Sequence, residues 1–140
     1  MTKATLLLVE DNDSHAYLIE RVLRKPEVDF ECVRVRDGEE ALTYLRRQGP
    51  YIQAEVPRAV LLDLKLPKLS GHEVLKTIKE DPLLRRVPVI ILTTSDAEPD
   101  RLKAYANHAN SYVVKSLGFA EFSRVLVAVG TYWATVNRPA

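Results

Sequence analysis

Ala59-Val60-Leu61-Leu62-Asp63 is the stretch that decides the fold: four apolar residues run straight into a carboxylate. An unbroken apolar run of this length, bounded by polar residues, is the pattern of a strand buried on both faces. Three other runs end in a similar way. Thr5-Leu6-Leu7-Leu8-Val9 stops on Glu10-Asp11, Val89-Ile90-Ile91-Leu92 on Thr93-Thr94-Ser95, and Tyr112-Val113-Val114 on Lys115. Laid side by side and parallel, these strands gather acids, hydroxyls and one lysine at a single edge of a sheet.

A fifth, more mixed run at 30–35, Phe30-Glu31-Cys32-Val33-Arg34-Val35, reads as an edge strand. Amphipathic stretches separate the strands. The spacing predicts helices over 14–25, 39–48, 70 or 71–81, 99–107 and 119–136. Pro26, Gly49-Pro50 and Pro82 mark the ends of the first three. Strands alternating with helices of this length imply right-handed βαβ crossovers and a parallel sheet. Five such units fit an α/β flavodoxin-like, doubly wound (βα)5 sheet of strand order 2-1-3-4-5. Its topological switch point lies between the first and third strands, where ligands bind beyond the carboxyl ends. Asp11 and Asp63 stand at those ends.

The 140 residues are expected to form one domain, with a core over about 5–129 and a last helix and aromatic tail to about 136. The link 49–57 is long for its kind, and the tail 137–140 is expected to be loose. Net charge is +1, from 20 basic and 19 acidic side chains, so no electrostatic case for nucleic acid exists. The single cysteine, Cys32, cannot close an internal disulfide. No apolar run approaches the roughly 20 residues of a membrane span. The expectation is a soluble cytoplasmic protein without nucleic-acid or membrane partners.

Three acids brought together repel one another unless a cation or proton relieves them. A hard divalent ion with oxygen ligands, Mg²⁺ above others, suits Glu10, Asp11 and Asp63. Asp11 and Asp63 would supply oxygens directly, and Glu10 through a water. A metal beside an ionised aspartate favours in-line attack on a phosphoryl group, with Thr93 and Lys115 facing the other phosphoryl oxygens. The product would be an aspartyl phosphate. Taken singly, each residue has an ordinary explanation. Acids after strands often cap the next helix, as Asp13 or Ser14 is expected to do here. A lone lysine is usually surface, and a lone threonine a strand end. The conjunction of four strand ends points to chemistry.

These residues resemble the receiver domain of bacterial response regulators. The carrying motifs are Leu8-Val9-Glu10-Asp11, Leu61 through Gly71 with its Asp63, Pro67 and Gly71 spacing, Pro88 through Thr93, and Tyr112-Val113-Val114-Lys115. The resemblance implies Asp63 as phosphoacceptor, Glu10 and Asp11 as the acidic pair for Mg²⁺, and the backbone carbonyl of Lys65 as a further ligand. It implies Thr93 and Lys115 as phosphoryl contacts, and Thr93 with Tyr112 as the switch pair. Further features are similar to the small stand-alone regulators paired with bacterial phytochromes: Leu64 through Lys68, Leu92 through Ser95, Asn107 through Tyr112, Lys115-Ser116 and the Tyr132-Trp133 tail. That match implies a phytochrome histidine kinase as phosphodonor and a homodimer.

Three positions depart from the family pattern. Ser116 replaces the usual proline after the lysine, Thr94 replaces a small residue, and Lys65 puts a long cation near the pocket mouth. Of the histidines, His15 and His72 read as exposed helix residues, and His108 belongs to no metal motif. The last helix carries apolar residues over more than one stripe, from Phe119 to Val136, which suggests a partner surface and an isologous dimer.

Rival functions fit less well. An aspartyl-phosphate phosphatase usually carries a second acid two positions after its nucleophile, where this chain has Lys65. A flavin carrier would set its cofactor phosphate against Glu10, Asp11 and Asp13. The leading expectation is a phospho-accepting module that signals to a downstream protein target or passes phosphate to a phosphotransfer protein.

Overall fold

A computed structural model describes residues 4–115 and 118–139. Ser116, and with it the departure noted there, lies outside the described residues. The elements in chain order are β1 (Thr5–Val9), α1 (Asp13–Leu23), β2 (Glu31–Val35), α2 (Gly38–Leu45), a 3₁₀ turn (Gly49–Tyr51), β3 (Ala59–Leu62), α3 (Gly71–Glu80), β4 (Val89–Thr93), α4 (Glu98–Ala106), β5 (Ser111–Val114) and α5 (Phe119–Thr131). Helical geometry continues from α5 into a π-helical turn, Tyr132–Val136. The sheet is parallel, with order β2-β1-β3-β4-β5. This is the flavodoxin-like arrangement the alternating pattern predicts.

The period-2 alternation of a strand divides the core into two layers. Leu7, Val9, Val60, Leu62, Val89 and Ile91 face α2, α3 and Ala104 of α4. Leu6, Leu8, Leu61, Ile90 and Leu92 face Ile19, Val22 and Leu23 of α1 and Phe122 and Leu126 of α5. β1, β3 and β4 are buried along their whole length, which explains their continuous apolar runs. β2 and β5 are the sheet edges and are only partly buried.

Helix starts differ in detail from the sequence expectation. α1 is capped by Asn12, whose side chain accepts from the His15 amide, and not by Asp13 or Ser14. Asn12, Asp13 and Ser14 are all good caps, and only backbone geometry chooses among them. α2 ends at Leu45, and residues 49–51 form a separate turn. α3 opens with a capping box in which Ser70 and Glu73 satisfy each other's amides.

Candidate functional site

Strand register sets the site. Val9 pairs with Leu62, so the residues that follow, Glu10 and Asp63, emerge side by side. Thr93 pairs with Val114 at the other end, which delivers Lys115 to the same edge. Backbone bonds carry the order past the last rungs: Glu10 N–H donates to Val35 O, Asp63 N–H to Val9 O, and Lys115 N–H to Thr93 O. The turn after Asp63 folds back so tightly that a Cβ on Gly71 would lie 2.1 Å from the Asp63 carbonyl oxygen. Only glycine admits that approach, which gives the Asp63-to-Gly71 spacing its physical reason.

Carboxylate oxygens of Glu10, Asp11 and Asp63 lie within 4.8 Å of one another. Glu10, Asp63, Thr93 and Lys115 are buried, while Asp11 is exposed. The Lys115 ammonium sits among the acids, 2.5 Å from Glu10 Oε1 and 3.1 Å from Asp63 Oδ2. The sequence assigned relief of the acidic repulsion to a metal ion; within the chain itself, Lys115 supplies the counter-charge. Burial pushes the Glu10 carboxyl above its usual range, the hydrogen bond from Lys115 opposes that, and the Asp63 charge adds to the rise. The Lys65 amide donates to Asp63 Oδ1 at 3.3 Å, and the Lys65 side chain is exposed. Arg34, reaching across from β2, donates to the Glu10 carbonyl and to Asp13, and Arg36 also donates to Asp13. These bonds pin the loop that carries the acids.

Beside this pocket lies a second polar cluster. Ser95 N–H donates to Thr93 Oγ1 at 3.3 Å, and Ser95 Oγ donates to Asp100 Oδ2 at 2.5 Å. Asp100 Oδ1 lies 3.2 Å from His72 Nε2. The Tyr112 hydroxyl donates to the Ser95 carbonyl at 2.9 Å. Thr93 and Tyr112, the pair singled out from the sequence, thus meet through Ser95.

One histidine differs from its sequence reading, and another makes a contact the sequence did not show. The His72 side chain is 12% exposed and bound to Asp100, so it is not a surface residue. His15 Nδ1 lies 3.0 Å from Lys115 Nζ, inside the acidic site. Burial and the Lys115 charge lower the His15 pKa. Sequence reasoning missed His15, Ser95, Asp100 and His72. A usable signal existed for His15: it is the third helical residue after a cap, and helical side chains lean towards the N-terminus.

A doubly wound sheet with an acid–lysine pocket at its switch point defines the class: a receiver-type signalling module. The family model for the response regulator receiver domain matches residues 6–126, and the chain belongs to that family. The probable methanogenesis regulatory protein FilR2 of Methanothrix harundinacea is 46% identical over 134 residues, covering 95% of this chain and 85% of that protein. Response regulator Rcp1 of Synechocystis is 40% identical over 136 residues, 96% of this chain and 92% of that one. The crystal structure of the phosphorylated cyanobacterial phytochrome response regulator RcpA matches with a TM-score of 0.94 at 40% identity, covering 99% of each chain. The Mn²⁺-bound structure of Rcp1 matches with a TM-score of 0.92 at 36% identity, covering 98% of this chain and 99% of that one. Among the described residues, no helix is long and apolar enough to cross a membrane.

Proposed function

We propose that the chain acts as a single receiver module that accepts a phosphoryl group on Asp63 from a histidine kinase. One observation carries this reading: a single buried carboxylate at the end of β3 lies within reach of two further acids and of the Lys115 ammonium. A carboxylate oxygen of Asp63 attacks the phosphorus of a phosphohistidine. The N–P bond breaks, an O–P bond forms, and the imidazole leaves, taking its proton from water. Lys115 and the buried Thr93 hydroxyl receive the phosphoryl oxygens.

The all-oxygen set of Glu10, Asp11 and Asp63 fits a hard divalent ion, and the Mn²⁺-bound Rcp1 structure supports that fit. Mg²⁺ held by these residues and by the Lys65 backbone carbonyl would supply positive charge beside the transferring group. Thr93 and Tyr112 form the switch: when the Thr93 hydroxyl turns to the phosphoryl group it leaves the Ser95 amide, and Ser95 carries the change to Tyr112 and Asp100. Phosphorylation then shifts two pre-existing states of this face.

A bacteriophytochrome-type kinase as donor is supported by the likeness to the phytochrome response regulator RcpA. The resemblance to FilR2 favours, as a second reading, a kinase of another input. Output passes through protein contacts or phosphate relay in the cytoplasm. A homodimer through α5 and the π-helical turn that follows it is supported by the exposure of Phe119, Tyr132 and Val136. A phosphatase is disfavoured by Lys65, which stands where a general acid would be needed. Phosphotransfer from purified histidine kinases with labelled ATP and Mg²⁺ tests the reading. Label should appear on the native chain and be absent from Asp63→Asn; label on both overturns it.

A further inference from the structure

We propose that His15 is a positioning residue for the phosphoryl-transfer pocket: its Nδ1 takes one N–H of Lys115 and holds the ammonium in place when the carboxylates are engaged elsewhere. The inference rests on the receiver reading above and extends it to a residue outside the acid–threonine–lysine set.

An ammonium has three N–H donors and no acceptor. Around Lys115 Nζ stand three acceptors: Glu10 Oε1 at 2.5 Å, His15 Nδ1 at 3.0 Å and Asp63 Oδ2 at 3.1 Å. The count closes, as a buried ammonium requires, because an unpaired N–H in a desolvated site is costly. Since Lys115 can only donate, His15 Nδ1 must carry the lone pair, and the ring proton sits on Nε2.

The three acceptors are not equivalent. Glu10 and Asp63 belong to the acidic set suited to a divalent ion, and Asp63 is also the proposed phosphate acceptor. Engaging those carboxylates removes them, wholly or in part, from Lys115. His15 lies outside that acidic set, and its Nδ1 is farther from Glu10 Oε1, at 3.9 Å, than from Lys115 Nζ. It also sits on the solvent side of the pocket, 39% exposed against 5% for the Lys115 side chain. Its backbone is fixed at the start of α1, where its amide donates to Asn12 Oδ1 at 2.9 Å. Arg34 and Arg36 tie the neighbouring Asp13 to β2 and the loop after it. The ring is therefore delivered from a rigid helix start, as a positioning group should be.

The test compares His15→Leu with His15→Asn, whose Oδ1 restores an acceptor close to the position of Nδ1. Two readouts are taken on the full chain: the Lys115 ammonium resonance in a ¹⁵N-labelled sample at low temperature, and the phosphorylation rate with acetyl phosphate and Mg²⁺. Urea midpoints establish that both variants fold. The ammonium resonance should persist in native and His15→Asn protein and be lost by exchange with water in His15→Leu. Phosphorylation should slow about tenfold in His15→Leu and stay within about twofold of native in His15→Asn, the tenfold step corresponding to about 1.4 kcal/mol. A Lys115 resonance equally sharp in His15→Leu and His15→Asn overturns the proposal, whatever the rates. If the native chain takes no phosphoryl group, the receiver reading fails at Asp63, and the ammonium spectrum still decides the role of His15.

Discussion

The carboxyl edge of the sheet holds two polar clusters built on different plans. Around Lys115, buried charges close on one another: Glu10, Asp63 and Lys115 are all less than a tenth exposed. Around Ser95, partly exposed groups link separate elements: Asp100 on α4 to His72 on α3, and Tyr112 on β5 to the loop after β4. The first cluster is held by strand register and has little room to move. The second is a chain of single hydrogen bonds between helices and a loop, each of which can break without exposing a buried charge. On the proposed function, chemistry belongs to the rigid cluster and transmission to the loose one. Thr93 is the residue they share, at the end of β4 in the one and accepting from the Ser95 amide in the other.

The sharpest way to break this comparison is to remove the charge at the centre of the rigid cluster. Lys115→Met should lower the phosphorylation rate by about a hundredfold or more, the scale seen when one charge-stabilising donor is lost. It should at the same time tighten divalent-ion binding, because the acids lose their internal counter-charge. Isothermal titration with Mg²⁺ and a phosphorylation time course check the two halves. Weaker ion binding in the variant would show that Lys115 does not compete for the acids.

A backbone test comes next. Gly71→Ala pushes a Cβ against the Asp63 carbonyl and the Leu64 backbone. It should cost about 1–3 kcal/mol in urea denaturation, the range for overpacking, and slow phosphorylation with it. A variant as stable as native would mean that the turn after Asp63 has more room than this geometry gives it.

The smallest effect is expected in the loose cluster. The hydrogen bond from Ser95 holds the Asp100 carboxyl below its ordinary value of 3.8, and the bond to His72 adds to this. A depressed carboxyl contributes stability above its unfolded pKa and loses it as pH falls through the folded value, so the window lies below 3.8. Asp100→Asn should cost less than about 1 kcal/mol at neutral pH, because solvent screens a side chain this exposed, and flatten the acid limb of the stability curve. Its phosphorylation rate should stay near native, while the response of Tyr112 to phosphorylation, followed by NMR, should change. A large fall in rate would place Asp100 in the chemistry rather than in transmission.

The same contrast explains what the sequence made legible. Continuous apolar runs ending on Glu10, Asp63, Thr93 and Lys115 report strand ends directly, because a residue one step past a parallel strand has nowhere to go but the sheet edge. The gathering of the acids followed from that, and the strand order from fitting five alternating units to a flavodoxin-like sheet. The second cluster depends on how α3 and α4 approach each other, which no local pattern encodes: Ser95, Asp100 and His72 are ordinary loop and helix residues in the sequence. The contact of His15 with the pocket was missed for a similar reason. Its ring meets Lys115, a residue 100 positions away in sequence, and only the tertiary fold brings the two together.

The central claim is that Asp63 alone carries the phosphoryl group. Its most direct test is to phosphorylate the native chain with Mg²⁺ and a phosphodonor, trap the acyl phosphate by borohydride reduction, and locate the modified residue by mass spectrometry. The account requires a single reduced residue, Asp63, with none when the ion is chelated. Modification at Glu10, at Asp11 or at a histidine, with Asp63 intact, would contradict it.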